Sequence, residues 1–168
     1  VYLRILDPAA SSHDAHWTHV VIAQDIAREG KIPAYPAAWA KNFPHLASMV
    51  FAWSFLVPGI EFPMRMLLVM HTEFALFLFT LAGVVAAVRW LVGSRTDHGL
   101  AWTGFFLFPN IVIYDSDLCA SADHVAAFFM LPMCLIVARG IERPERRGAW
   151  AAGGLLMGAA LSTKLQCA

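Results

Sequence analysis

The chain has 168 residues, 59% of them hydrophobic and only 14% charged, against about 25% charged in an ordinary soluble domain. Lysine plus arginine equal aspartate plus glutamate at 12 each, so there is no global basic surface and nothing points to a nucleic-acid partner. What remains is the class of all-α, polytopic helical membrane proteins. Three cysteines, Cys119, Cys134 and Cys167, lie in or beside apolar runs; their spacing fits neither a metal knuckle nor a disulfide frame, and they read as packing residues. The first residue is Val1 rather than methionine, and Ala168 follows an apolar run, so the chain is expected to be a piece of a longer protein, cut at both ends.

In chain order, Val1 to Leu6 reads as the tail of a preceding span, broken by Asp7-Pro8, since proline disfavours helix in the residue before it. Ser11 to His45 is the long polar stretch of the sequence, and residues 11–62 are expected to be an external loop with interfacial helices. It holds three of the seven histidines, His13, His16 and His19, with Asp14 beside the first. From about Ala15 to Arg28, Trp17, Val20, Val21, Ala23 and Ile26 fall near helical spacing. That pattern predicts an amphipathic helix on the membrane interface, capped by Ser11 or Ser12 and ended by Gly30. Pro33 and Pro36 then force an extended passage. Pro44 to Val57 is apolar but too short for a span of roughly 20 residues, so an interfacial or re-entrant helix is expected.

Residues 63–168 are expected to be transmembrane helices. Pro63 to Val92 is long enough to cross the bilayer with tilt. It carries His71 and Glu73, which read as an internal polar contact between helices, because an ionisable group inside a span faces protein or water. A third apolar run covers about His98 to Ile113. Tyr114 to His124 is a second polar cluster with Asp115, Asp117 and Asp123. Val125 to Ala138 continues a helix begun before Asp123, and a basic turn follows with Arg139, Arg143, Arg146 and Arg147. The last run, Ala149 to Leu161, is rich in glycine and alanine, a composition suited to close helix contact in lipid, and leads to Ser162-Thr163-Lys164.

The excess of arginine near Arg89 and Arg95 and again at Arg139 to Arg147 puts both short loops on the cytoplasmic side. The opening loop, the aspartate cluster and Lys164 then share the opposite face. Topology alone therefore gathers Asp14, His16, His19, Asp115, Asp117, Asp123 and Lys164 outside one leaflet.

Three motifs in this order carry a resemblance. HDAHWTHV, followed by AREGKIP and NFPHLASMVF, resembles the first external loop of the GT-C membrane glycosyltransferases. The closer likeness is to the bacterial branch related to protein O-mannosyltransferases and aminoarabinose transferase. Members carry an aspartate soon after the first span, matched by Asp14, and many carry tyrosine-histidine four and five residues on, here Thr18 and His19. The short helix, the turn of Gly30 and Pro33, and Phe43-Pro44 follow in the same order. FPNIVIYDSDLCASADHVAAFF resembles the later polar loop whose aspartate is Asp123, and GGLLMGAALSTK the glycine-rich helix ending in threonine-lysine. The chain departs in having His13 and His16 and in lacking the Asp-Glu pair of some branches, which leaves the acceptor class open.

The resemblance implies that the chain is the N-terminal part of one transmembrane catalytic domain (residues 1–168) in the bacterial inner membrane. It implies transfer of a sugar, with inversion, from a polyprenyl-phosphate donor to a lipid, glycan or protein acceptor on the periplasmic face. Inversion needs a base to take the acceptor hydroxyl proton, and the departing lipid phosphate needs a cation. Asp14 is the expected base and Lys164 the expected phosphate ligand, with His19, Asp123 and His124 as substrate contacts. His16, Asp115 and Asp117 are candidates to touch sugar or a divalent metal. The steps of three between His13, His16 and His19, with Asp14, would suit zinc; solvated or hydrogen-bonded loop histidines are the commoner use of such residues. Asp14 as a helix cap and Lys164 as a snorkelling side chain are the plainer alternatives. Acids and histidines within a membrane also mark proton-coupled transporters, the rival function; here the acids gather at one face rather than at mid-depth.

Overall fold

The computed structural model describes residues 2–9, 15–36, 39–42, 44–92, 102, 118 and 120–164. Among these residues every regular element is helical and there is no strand. The principal helices are α1 (Val20–Glu29), α2 (Leu46–Leu56), α3 (Phe62–Val92), α4 (Ala122–Glu142) and α5 (Arg147–Thr163). The apolar run expected from His98 to Ile113 lies outside the described residues apart from Trp102.

Among the described residues two helices are long and apolar enough to cross a membrane: Phe62–Leu91 within α3, and Ala122–Glu142. At 1.5 Å per residue, α3 is about 46 Å long and α4 about 31 Å, against a hydrocarbon core of about 30 Å. Only 28% and 22% of their most apolar windows are buried. A core helix of a soluble protein hides most of its apolar surface, whereas Leu68, Leu78, Phe79 and Leu91 point outward from α3. By the same rise α2 is about 16 Å long and cannot span, as its sequence predicts.

Paired residues fix the directions of the long helices. Glu73 meets His124, a Cβ on Gly83 would lie 3.0 Å from Leu131 Cδ2, and Arg139 stacks over the Trp90 ring at 5.8 Å. Numbers rise together along both helices, so α3 and α4 run parallel. Asp123 meets Lys164, a Cβ on Gly153 would lie 3.0 Å from Val137 Cγ2, and Gly140 is covered by Trp150. There one number rises as the other falls, so α4 and α5 form an antiparallel hairpin. At Gly83 and Gly153 a side chain would crowd the Leu131 and Val137 side chains of the facing helix, the use of small residues expected between helices in lipid. The turn of the hairpin holds Arg143, Arg146 and Arg147, all exposed. Arg139 over Trp90 joins this turn to the far end of α3, so Arg89 and the hairpin arginines lie at the same end of these helices.

The opening loop covers the other end. A five-residue π-helical turn, Ala15–His19, leads directly into α1. His19 precedes α1 in helical geometry and makes no side-chain cap; the helix needs none, because the π turn already supplies backbone ahead of it. Ser11 and Ser12, the expected caps, lie outside the described residues. Gly30 ends α1 as expected: at φ 67° it turns its N–H back to the Ile26 carbonyl at 2.8 Å, a left-handed stop that glycine adopts without penalty. Ala15, Val20 and Ala23 pack on Ala47, Phe51, Ala52 and Phe55 of α2, on Met66 and Val69 of α3, and on Ala120, Ala122 and Val125. The loop helices thus rest on the first turns of α3 and on the start of α4.

The described part of the segment expected to be the tail of a preceding span packs against α3. Residues Tyr2–Leu6 form a 3-10 turn. Ile5 is fully buried against Met70, Phe77, Leu81 and Leu118, and Tyr2 meets the rings of His71 and Phe74. Burial of one isoleucine and one ring edge holds this segment. Asp7 accepts the Ala9 N–H at 2.9 Å, which closes the Asp7-Pro8 break as a side-chain turn.

Candidate functional site at the start of α4

The start of α4 joins α3, α4 and α5 through polar contacts. Glu73 is fully buried within α3, and a charge there is costly unless hydrogen-bonded. Three donors meet it: Ala120 N–H reaches Oε2 at 2.7 Å, Ser121 N–H reaches Oε1 at 3.0 Å, and His124 Nδ1 lies 2.7 Å from Oε1. Filling a carboxylate with donors suits its role as an acceptor of several hydrogen bonds. Two of the donors are backbone groups ahead of the first turn of α4. They point the same way because Ala120 adopts φ 63°, a left-handed conformation that costs a non-glycine residue roughly 1 kcal/mol.

His124 is 1% exposed. Its ring stands edge-on to Phe77 at 5.4 Å, and its Nε2 has no hydrogen-bond partner among the described residues. Expected as a substrate contact, it is turned inward onto Glu73. His71 is not the partner of Glu73 either. Its Nδ1 lies 2.7 Å from the Leu67 carbonyl of its own helix, because residues 71 and 73 project from different sides of a helix.

Ser121 connects this inner contact to an outer one. It caps α4, its Oγ accepting the Asp123 N–H at 3.2 Å while its hydroxyl donates to Asp123 Oδ2 at 2.8 Å. The other oxygen of Asp123 pairs with the Lys164 ammonium. Lys164 lies just past α5, where the helix stops with the Lys164 N–H on the Ala160 carbonyl. The two side chains are 35% and 37% exposed, so solvent or a ligand can reach them. Two of the expected substrate residues, 41 positions apart in sequence, are therefore in direct contact.

In the loop, His19 Nδ1 lies 3.4 Å from Ser48 Oγ, tying the start of α1 to α2, and His16 is exposed. Asp14, His13, Asp115 and Asp117 lie outside the described residues. No group of three histidine, cysteine, aspartate or glutamate side chains among the described residues is arranged to hold a metal ion. Below α1, Tyr35 donates to Asp25 Oδ2 at 3.0 Å, Arg28 pairs with Asp25 Oδ1 at 2.9 Å, and Lys41 lies 5.0 Å over the Tyr35 ring. Burial, then the hydrogen bond and charge of Asp25, push the Tyr35 phenol up to about 12. Burial alone holds the His45 imidazole below its ordinary value.

Chemically, the outer contact offers a reachable cation and a reachable carboxylate beside the N-terminus of a helix, where the backbone dipole favours negative charge. The inner contact is sealed from solvent. The expectation that Glu73 finds a polar partner was legible from its place inside a span; which partner was not, since His124 lies 51 positions away. No known family matches the chain, and neither a curated protein nor a solved structure shows significant similarity to it.

Proposed function

We propose that the chain is the N-terminal membrane portion of a GT-C-like glycosyltransferase that moves a sugar from a polyprenyl-phosphate donor to an acceptor at the periplasmic face of a bacterial inner membrane. The observation that carries this is the Asp123–Lys164 pair at the open end of the α4–α5 hairpin. It stands next to Ala120, Ala122 and Val125, on which the helices of the opening loop are packed. A lysine held in place by an aspartate, at a helix N-terminus and within reach of solvent, suits a phosphate whose negative charge grows as it departs. The two spanning helices supply a scaffold beside which a lipid carrier can lie.

In the reaction, the Asp14 carboxylate takes the proton from an acceptor hydroxyl. The acceptor oxygen bonds to the anomeric carbon as the bond from that carbon to the phosphate oxygen breaks, so configuration inverts. Polyprenyl phosphate leaves with its charge on Lys164, while Asp123 and His19 bind sugar or acceptor hydroxyls. Full-length protein supplied with a lipid-phosphate sugar tests this. Asp14→Asn keeps the shape but lowers transfer by at least about 100-fold, the scale of general-base catalysis; unchanged transfer removes Asp14 from that role. Lys164→Ala raises KM for the donor more than KM for the acceptor, and equal changes in both would make the lysine structural only.

A second reading, a proton-coupled transporter, is favoured by one observation: Glu73 and His124 form a buried acid–imidazole contact between the two candidate spans, a common mark of proton pathways. Proteoliposomes loaded with a pH-sensitive dye separate the two. A transferase shows no proton flux that depends on Glu73.

A further inference from the structure

The polar contacts at the start of α4 form one unbroken chain, and its direction suggests a role for a residue that reaches no ligand. Glu73 Oε1 accepts the Ser121 N–H, the Ser121 hydroxyl donates to Asp123 Oδ2, and Asp123 Oδ1 pairs with Lys164. Ser121 thus binds the buried acid through its backbone and the exposed acid through its side chain. Its backbone is fixed on two sides, by Glu73 and by the left-handed Ala120. A strained residue persists only where its surroundings over-determine it, and the Glu73 carboxylate is what meets Ala120 N–H here. His124 clamps the same carboxylate one residue beyond Asp123.

We propose that Glu73 is a positioning residue for the Asp123–Lys164 pair, acting through Ser121, with His124 holding the carboxylate in register. Asp123 is more than one-third exposed and Lys164 about as much; a pair so placed is weak by itself and its side chains are free to wander in water. Its geometry is inherited from a node that water does not enter. Residues that hold a functional group through a second layer of hydrogen bonds keep it within the few tenths of an ångström that binding needs. The consequence for transfer rests on the reading of Lys164 as the donor phosphate ligand; the positioning itself does not.

Two readouts keep these apart, both on the full-length protein in nanodiscs. The first is the rate at which Lys164 is modified by an amine-selective acylating reagent, followed by mass spectrometry, and it is independent of any activity. Glu73→Gln puts an amide NH2 where a backbone N–H must donate, and Ser121→Ala removes only the hydroxyl. Each raises the Lys164 labelling rate on the order of fivefold, the scale of a weak, part-exposed ion pair being loosened. The double variant labels no faster than the faster single variant, because both changes act on one chain of contacts. The second readout is KM for a polyprenyl-phosphate sugar, which rises in both variants while KM for the acceptor stays within about twofold.

Should Glu73→Gln fail to fold, Ser121→Ala carries the test alone, since it leaves the inner contacts intact. Unchanged Lys164 labelling in the folded variants overturns the inference, as do additive effects in the double variant. Faster labelling with an unaltered donor KM upholds the positioning and instead defeats the assignment of Lys164 to the donor phosphate.

Discussion

The inner and outer contacts at the start of α4 contain one carboxylate each, lie on either side of Ser121, and behave as opposites. Glu73 is sealed from solvent and bonded by three donors from a single short stretch of chain. Asp123 is partly open to solvent and holds its lysine by one part-exposed ion pair. An acid inside a bundle is tolerable only if its partners are complete, and removing one partner leaves an unmatched buried group. An acid at the rim can exchange its partner for water, or for a ligand, at little cost. The inner contact is therefore suited to holding the structure and the outer one to binding.

Stability measurements can break that comparison. The largest effect is expected for Glu73→Ala, which strands two backbone N–H groups and the His124 ring in the interior and costs about 3–5 kcal/mol. Chemical denaturation in mild detergent, monitored by tryptophan fluorescence, measures it. A loss below about 1 kcal/mol would mean that the described contacts do not hold α4 to α3. Lys164→Ala is expected to cost less than about 1 kcal/mol, because the pair is exposed and its side chains regain freedom. If that variant were as unstable as Glu73→Ala, the outer contact would be a structural clamp and the distinction would fail.

Much of the helical layout was legible in the sequence because hydropathy and glycine carry it directly. The run from Pro63 to Val92 became α3, Gly30 stopped α1, and Pro44 to Val57 held a helix too short to span. Counting crossings and the arginine-rich loops put Asp123 and Lys164 on one face; their direct contact, across 41 positions, was not legible. Other features were hidden for physical reasons. An alanine gives no sign that its backbone will turn left-handed, so the bend at Ala120 and the N–H pair it aims at Glu73 are invisible before folding. The expected polar contact between helices is made by Glu73, while His71 turns to a carbonyl of its own helix, since residues two apart project to different sides. The apolar residues from Val1 to Leu6 gave no sign of the buried slot beside α3 that Ile5 fills.

The central claim is that the open carboxylate–ammonium pair receives the phosphate of a lipid-linked sugar. The most direct measurement is acylation of Lys164 in the wild-type, full-length protein, with and without saturating polyprenyl-phosphate sugar. Protection of Lys164 by the donor, with no matching protection of exposed Lys31, is the predicted result; equal labelling of Lys164 with donor present and absent would contradict it.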